Sequence, residues 1–147
     1  MPKTPLQATD VAVLPYPAET IWPILADISR YPQWWPKILF TRVTPAKNGL
    51  LDSELHLRPM GFRPFTCRIV AAKEPHSIDL EYVGNFITGH AQWILEPEES
   101  STRVSYIVNV VIHGKMVALV AKVIDLKALH SHSMQNILQA LQRRLLL

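Results

Sequence analysis

The 147-residue chain has one cysteine, Cys67, which excludes an intramolecular disulfide and any thiolate cluster for zinc or iron–sulfur. It has no run of about 18 apolar residues, so no transmembrane helix is expected; the longest compact stretch, residues 116–121, stops at Lys122. The first ten residues, MPKTPLQATD, lack the apolar core and cleavage site of a signal peptide, and a cytoplasmic location is therefore the expectation. There is no G-x-G-x-x-G or G-x-x-x-x-G-K-[ST] to cradle a nucleotide phosphate and no G-x-S-x-G elbow to present a nucleophilic serine. No cofactor is implied. Proline is absent after Pro97, so only the last 50 residues can hold a long uninterrupted helix.

Against these absences stands an apolar surplus. Hydrophobic residues make up 48% of the chain and charged residues 18%, with a mean hydropathy of +0.10. A chain of this length buries about 70% of its unfolded surface around a single core, so one domain over residues 1–147 is expected. The net charge is +3 and the pI about 9.2. Arg58, Arg63, Arg68 and Lys73 fall in a stretch with no acid before Glu74, but they are interspersed rather than consecutive and read as solvated strand faces. Contact with nucleic acid or a ribosome is the alternative reading of them.

Residues 9–14 (TDVAVL) are rich in β-branched side chains and stop at Pro15, which predicts a first strand. Residues 18–27 then change to helical spacing, with Ile21, Trp22, Ile24, Leu25 and Ile28 available for one face. With Thr20 as N-cap, Pro23 falls at N3, where its missing N–H has no intrahelical partner to lose; a start nearer Ala18 would force a kink. Residues 27–36 (DISRYPQWWP) pack Tyr31, Trp34 and Trp35 between Pro32 and Pro36, leaving room for a short helical turn only.

From residue 37 to residue 112 the period is two. Strands are predicted at 39–44, 51–58, 65–72, 78–82, 88–96 and 104–112, separated by turn signals such as Lys47-Asn48-Gly49 and Gly84-Asn85. Short links between consecutive strands imply antiparallel pairing with one face inward. A long helix follows from Lys115 to about Leu145. His130, Met134, Ile137, Leu138, Leu141 and Leu145 form its later apolar stripe, whereas the stripe of Met116, Val117, Val120, Val123 and Ile124 is centred roughly 60° away, so a bend near residues 125–129 is expected.

A strand, two short helices, six antiparallel strands and a long C-terminal helix resemble the α+β helix-grip fold of the START and pollen-allergen-like superfamily (SRPBCC). Within it the chain resembles the polyketide cyclase/dehydrase and coenzyme-Q-binding group. The residues carrying the resemblance are Pro17-Ala18-Glu19-Thr20-Ile21-Trp22, Leu25-Ala26-Asp27-Ile28, Tyr31-Pro32-Gln33-Trp34-Trp35-Pro36, Gly84-Asn85-Phe86, Trp93 with Glu96-Pro97, and Thr102-Arg103-Val104. The resemblance implies a curved sheet wrapped around the long helix with a cavity between them. A helix about 10–12 Å across does not fill such a sheet, and the remaining gap suits an apolar ligand.

The lining expected from this arrangement is Trp35, Phe40, Leu55, Leu57, Cys67, Ile69, Tyr82, Trp93, Tyr106, Val108, Met134, Ile137, Leu138 and Leu141. Lys127, about 20° from the centre of the combined helical stripe, and His130 either meet a ligand head group at the cavity mouth or, where the helix bends beside them, face water. His130 and His132 diverge by 200° on a helix, unlike an i, i+4 zinc pair, and no metal site is expected. Cys67, on an apolar strand face with no histidine base beside it in sequence, reads as a buried inert thiol.

Three functions follow. The first is binding or transport of a hydrophobic small molecule: a lipid, a quinone or a polyketide-like compound. The second is cyclisation or dehydration of a polyketide in the same cavity, which needs an internal acid/base and an oxyanion donor, with Tyr82, Tyr106 and His130 as inward candidates. The arginine that the resemblance implies for such cyclases falls near Ala71, with Arg68 on the outer face. The third is a ribosome-associating interaction protein, which the same group includes.

Overall fold

The computed structural model describes residues 2–61 and 63–147. Seven strands form one antiparallel sheet in the order β1-β7-β6-β5-β4-β3-β2. They are β1 (Lys3–Leu14), β2 (Arg42–Thr44), β3 (Glu54–Leu57), β4 (Phe65–Lys73), β5 (Ser77–Val83), β6 (Ile87–Glu98) and β7 (Ser101–His113). Strands β2 to β7 are the expected six-strand meander, and β1 closes it by pairing along its whole length with β7, from Lys3 opposite His113 to Leu14 opposite Thr102. The architecture is the helix-grip α+β fold.

The first strand runs six residues further toward the N-terminus than residues 9–14 predict. Pro5 interrupts the sequence signal but not the strand, because β1 lies at the sheet edge, where a missing N–H leaves no ladder bond unmade. Residues 39–44 behave in the opposite way. Lys37–Leu39 form a 3-10 turn, Phe40 takes a left-handed conformation (φ 49°), and pairing begins only at Arg42.

Helix α1 (Ala18–Ala26) starts after Pro17, not at Thr20, and no side chain caps it. Pro23 therefore sits inside the helix and removes the amide that would bond to the Glu19 carbonyl. Both residues are on the exposed side of the helix, while Ile21, Trp22 and Leu25 bury the opposite face. A 3-10 turn (Ile28–Arg30) and the single-turn α2 (Tyr31–Trp34) follow. The predicted C-terminal helix is two: α3 (Lys115–Val120) and α4 (Leu126–Leu145). The break falls at residues 121–125, just ahead of the expected bend, and Asp125 N-caps α4 by accepting from the Ala128 amide at 3.1 Å.

Helix α4 packs across the concave face, against β1 and α2, and buries Met134, Ile137, Leu138, Ala140 and Leu141. Strands β6 and β7 approach closely at Gly89, opposite Val110. Gly89 has φ 134°, and a Cβ there would lie 2.3 Å from the Asn109 carbonyl oxygen, so only glycine fits. On β4, a register shift between Ile69 and Ala71 bulges the strand at Val70.

Candidate functional site

Between the concave face and α4 lies a cavity of about 220 Å³. Its wall is built from β1 and β3 to β7, the aromatic corner before β2, and the inward face of α4. Of the expected lining residues, Trp35, Leu55, Leu57, Cys67, Tyr82, Trp93, Tyr106, His130, Met134 and Ile137 are brought together there. Six expected residues lie elsewhere. Phe40 is 57% exposed, because the left-handed turn at its own position points it away and leaves Leu39 inward instead. Ile69, Val108, Leu138 and Leu141 face the interior but pack in the core beyond the cavity. Lys127 is exposed beside residues 4–7 of β1. Its predicted phase assumed one continuous helix, and α4 starts afresh at Leu126.

Tyr31 organises the aromatic corner. It is fully buried and its hydroxyl donates to the Leu25 carbonyl at the end of α1. Trp35 stacks on it at 4.5 Å between ring centroids with 19° between planes, and Trp34 meets it edge-on. Stacking fixes the Trp35 indole against the cavity. Only 6% of Trp35 is exposed, and its indole Nε1 is buried without a hydrogen-bond partner. An unsatisfied buried donor costs about 1–3 kcal/mol.

A line of polar groups crosses the otherwise apolar wall. The Tyr82 and Tyr106 hydroxyls lie 3.3 Å apart, and Cys67 shares a hydrogen bond with Tyr82. Phe65 stacks on Tyr82, and Trp93 packs edge-on against Tyr106, so both phenols are held. The Tyr106 ring also faces His130 at 6.3 Å. His130 Nδ1 stands 4.0 Å from Asp10 Oδ2, beyond hydrogen-bond distance, and both atoms are buried without a partner.

Asp10 is the polar residue that sequence reading missed. Along β1 the inward phase is Leu6, Ala8, Asp10 and Leu14, so an acid on the apolar phase of a strand was the available signal. It sits opposite Tyr106 across the β1–β7 pair.

Burial sets the protonation states. It pushes the Cys67 thiol up to about 12, with the Tyr82 hydrogen bond opposing, so the thiol stays protonated and inert. Burial likewise raises Tyr82 and Tyr106 above the ordinary phenol range, keeping both as hydrogen-bond donors. Burial lowers His130 below its ordinary value, opposed by the Asp10 carboxyl, so at neutral pH its imidazole is uncharged.

Among the described residues, no lysine or arginine lines the cavity, and no group of His, Cys, Asp and Glu is arranged to hold a metal ion. Arg68 lies on the convex face, 3.2 Å from Glu54. Arg63 covers the Phe86 ring at 4.3 Å, whereas Lys73 ends β4, roughly 30 Å further along by strand rise. Arg58 and Arg63 precede β4, and Arg68 and Lys73 lie five residues apart on it.

A family model described as polyketide cyclase / dehydrase and lipid transport matches residues 14–134. No curated protein matches the sequence. Among solved structures, the chain is similar to a START superfamily protein from Mycobacterium smegmatis, with 20% identity and a TM-score of 0.68 over 95% of this chain and 96% of that one. It is similar to norcoclaurine synthase from Thalictrum flavum in complex with dopamine and hydroxybenzaldehyde, with 11% identity and a TM-score of 0.69 over 98% and 88%. It also matches the di-domain ARO/CYC protein StfQ of the steffimycin biosynthetic pathway, at 12% identity and a TM-score of 0.73. That match covers 95% of this chain and half of the longer one. At such identities these likenesses concern the fold.

Proposed function

Because the chain belongs to the polyketide cyclase/dehydrase and lipid transport family, we propose that its cavity binds a compact hydrophobic molecule bearing one hydrogen-bond-accepting oxygen. The observation that carries this reading is the apolar cavity, with Trp35, whose buried indole Nε1–H has no partner, among its lining residues. A carbonyl or quinone oxygen placed against that donor removes its desolvation cost, while ring burial supplies the remaining affinity at about 25 cal/mol per Å² before binding costs.

Size narrows the ligand. A cavity of about 150 Å³ accepts benzene, so 220 Å³ suits one substituted ring, a quinone head or a short acyl chain. A polyprenyl tail or a fused tetracycle requires the cavity to widen. Native mass spectrometry of the freshly purified chain, followed by solvent extraction, identifies what it carries. Calorimetric titration with a soluble benzoquinone or aromatic ketone then measures affinity. Trp35→Phe keeps the stack on Tyr31 but deletes the donor, and the expected result is a fall in affinity of about 5–30-fold with the fold intact. Equal affinity of the two proteins would remove the oxygen-acceptor reading.

Catalysis is the second reading, favoured by the Asp10–His130 pair. Uncharged His130 is competent to take a proton from a carbon next to a ligand carbonyl, while the Tyr82 or Tyr106 hydroxyl donates to the oxygen that becomes an enolate. Deuterium uptake from heavy water into a bound aromatic ketone tests it. Uptake abolished by His130→Gln supports an enolising enzyme, and no uptake above the uncatalysed rate leaves a binding protein.

A further inference from the structure

The exposed large apolar residues of this protein are not evenly scattered. Met116, Leu119, Val123, Ile124 and Leu129 all fall within residues 116–129, with Val123 84%, Met116 72% and Leu119 61% exposed. Met116 and Leu119, at i, i+3, form the outward face of α3 and Val123 is exposed in the turn that follows it, while Val117 and Val120 lean back where α3 contacts β1 and β7. A contiguous apolar ridge of this kind costs solubility unless something covers it.

Charge identifies the cover. Lys115, Lys122 and Lys127 surround the ridge and all are exposed. From residue 100 to the C-terminus the only acid is Asp125, and its carboxylate is engaged in capping α4. A second copy of the chain would bring these lysines against one another across a symmetric interface. An anionic lipid surface satisfies both parts at once, because apolar tips enter the acyl boundary while lysines extend to the headgroups. The position also fits, since Leu126 and Leu129 of the first turn of α4 line the cavity, with Leu129 itself exposed.

We propose that residues 115–123, with Lys127, dock the protein on an anionic phospholipid surface, setting the mouth of the cavity against the bilayer. Met116, Leu119 and Val123 insert, and the lysines contact headgroup phosphates. The docking surface and the ligand reading above are separable.

Co-sedimentation of the full chain with vesicles tests it. Vesicles of phosphatidylcholine mixed with phosphatidylglycerol should retain the protein in low salt and release much of it in high salt, and phosphatidylcholine alone should retain far less. The double substitution Met116→Asp with Val123→Asp should lower retention about tenfold or more, at exposed positions that leave folding intact. Lys122→Gln with Lys127→Gln should weaken binding to the anionic vesicles and flatten its salt dependence. Ile107→Asp, on the convex face of β7, should bind as the unaltered chain does. Retention of the double aspartate variant at the unaltered level overturns the proposal, as does failure of the unaltered chain to bind anionic vesicles. A dimer in sedimentation velocity that the aspartate variant splits, without vesicle binding, also overturns it. Titration of the aspartate variant with the soluble ring probe keeps the two readings apart: loss of docking with probe binding retained assigns the effect to the surface.

Discussion

Helices α3 and α4 adjoin in sequence and carry the same kind of apolar stripe, yet one is left in solvent and the other forms the centre of the protein. Met134, Ile137, Leu138 and Leu141 of α4 are buried against the sheet, whereas Met116, Leu119 and Val123 of α3 and its following turn are exposed. The difference comes from the break at residues 121–125. Once Asp125 caps a new helix, α4 takes its own direction across the concave face, and α3 remains at the end of β7 with only its Val117–Val120 side against the fold. An apolar stripe therefore states what a helix can bury, and the geometry of the connection decides whether it does.

The largest expected effect is on the buried side of this comparison. Leu141→Ala should cost about 3–4 kcal/mol in denaturant unfolding, because it removes a fully buried side chain from the contact of α4 with the sheet. A loss below about 1 kcal/mol would mean that α4 is packed no better than α3.

At the point where α4 meets the cavity, pH should have a smaller effect. Burial holds the His130 imidazole below its ordinary value of 6.5, so the unfolded chain binds the proton more readily than the folded one. This contribution to stability is complete above about pH 6.5 and is lost as pH falls from there through the lower folded value. The thermal midpoint should decline between about pH 7.5 and pH 5.5, and His130→Gln should flatten that interval. An unchanged slope in the variant would place the proton elsewhere.

The smallest effect belongs to the exposed side. Val123→Ser should change stability by less than about 0.5 kcal/mol, since 84% of Val123 is in solvent. A larger loss would show that the ridge is packed in solution and return α3 to the same class as α4.

The same comparison explains which features were legible in the sequence. Alternation along β5, β6 and most of β7 matches the inward faces, because a period of two in a half-buried strand is a direct image of burial, although Ser105 on the outward phase of β7 is buried as well. Alternation reports a face and not a depth along it. Ile69 and Val108 were therefore grouped with true cavity residues although they pack beyond it, as were Leu138 and Leu141 on the helix. Phe40 was misplaced because one left-handed residue inverts the phase of a short strand. Lys127 was misplaced because a helical wheel carried across a break has no fixed origin. Asp10 went unseen because the residue it faces, His130, is 120 residues away in sequence and approaches it only when β1 pairs beside β7. Trp35 was found from aromatic density, but its unpartnered N–H exists only in the packed structure.

The central claim is that the space under α4 is a cavity fit for a ligand and not a filled core. Ile137→Trp tests it most directly, by extending a larger side chain from α4 into the space between Trp35, Tyr82 and Tyr106. Native mass spectrometry of both proteins with the same soluble quinone should show a one-to-one adduct for the unaltered chain and none for the variant. The variant's thermal midpoint should stay within a few degrees, because the added atoms fill existing space and avoid the about 1–3 kcal/mol cost of overpacking. A variant that unfolds, or one that binds the quinone as well as the unaltered chain, would contradict the account.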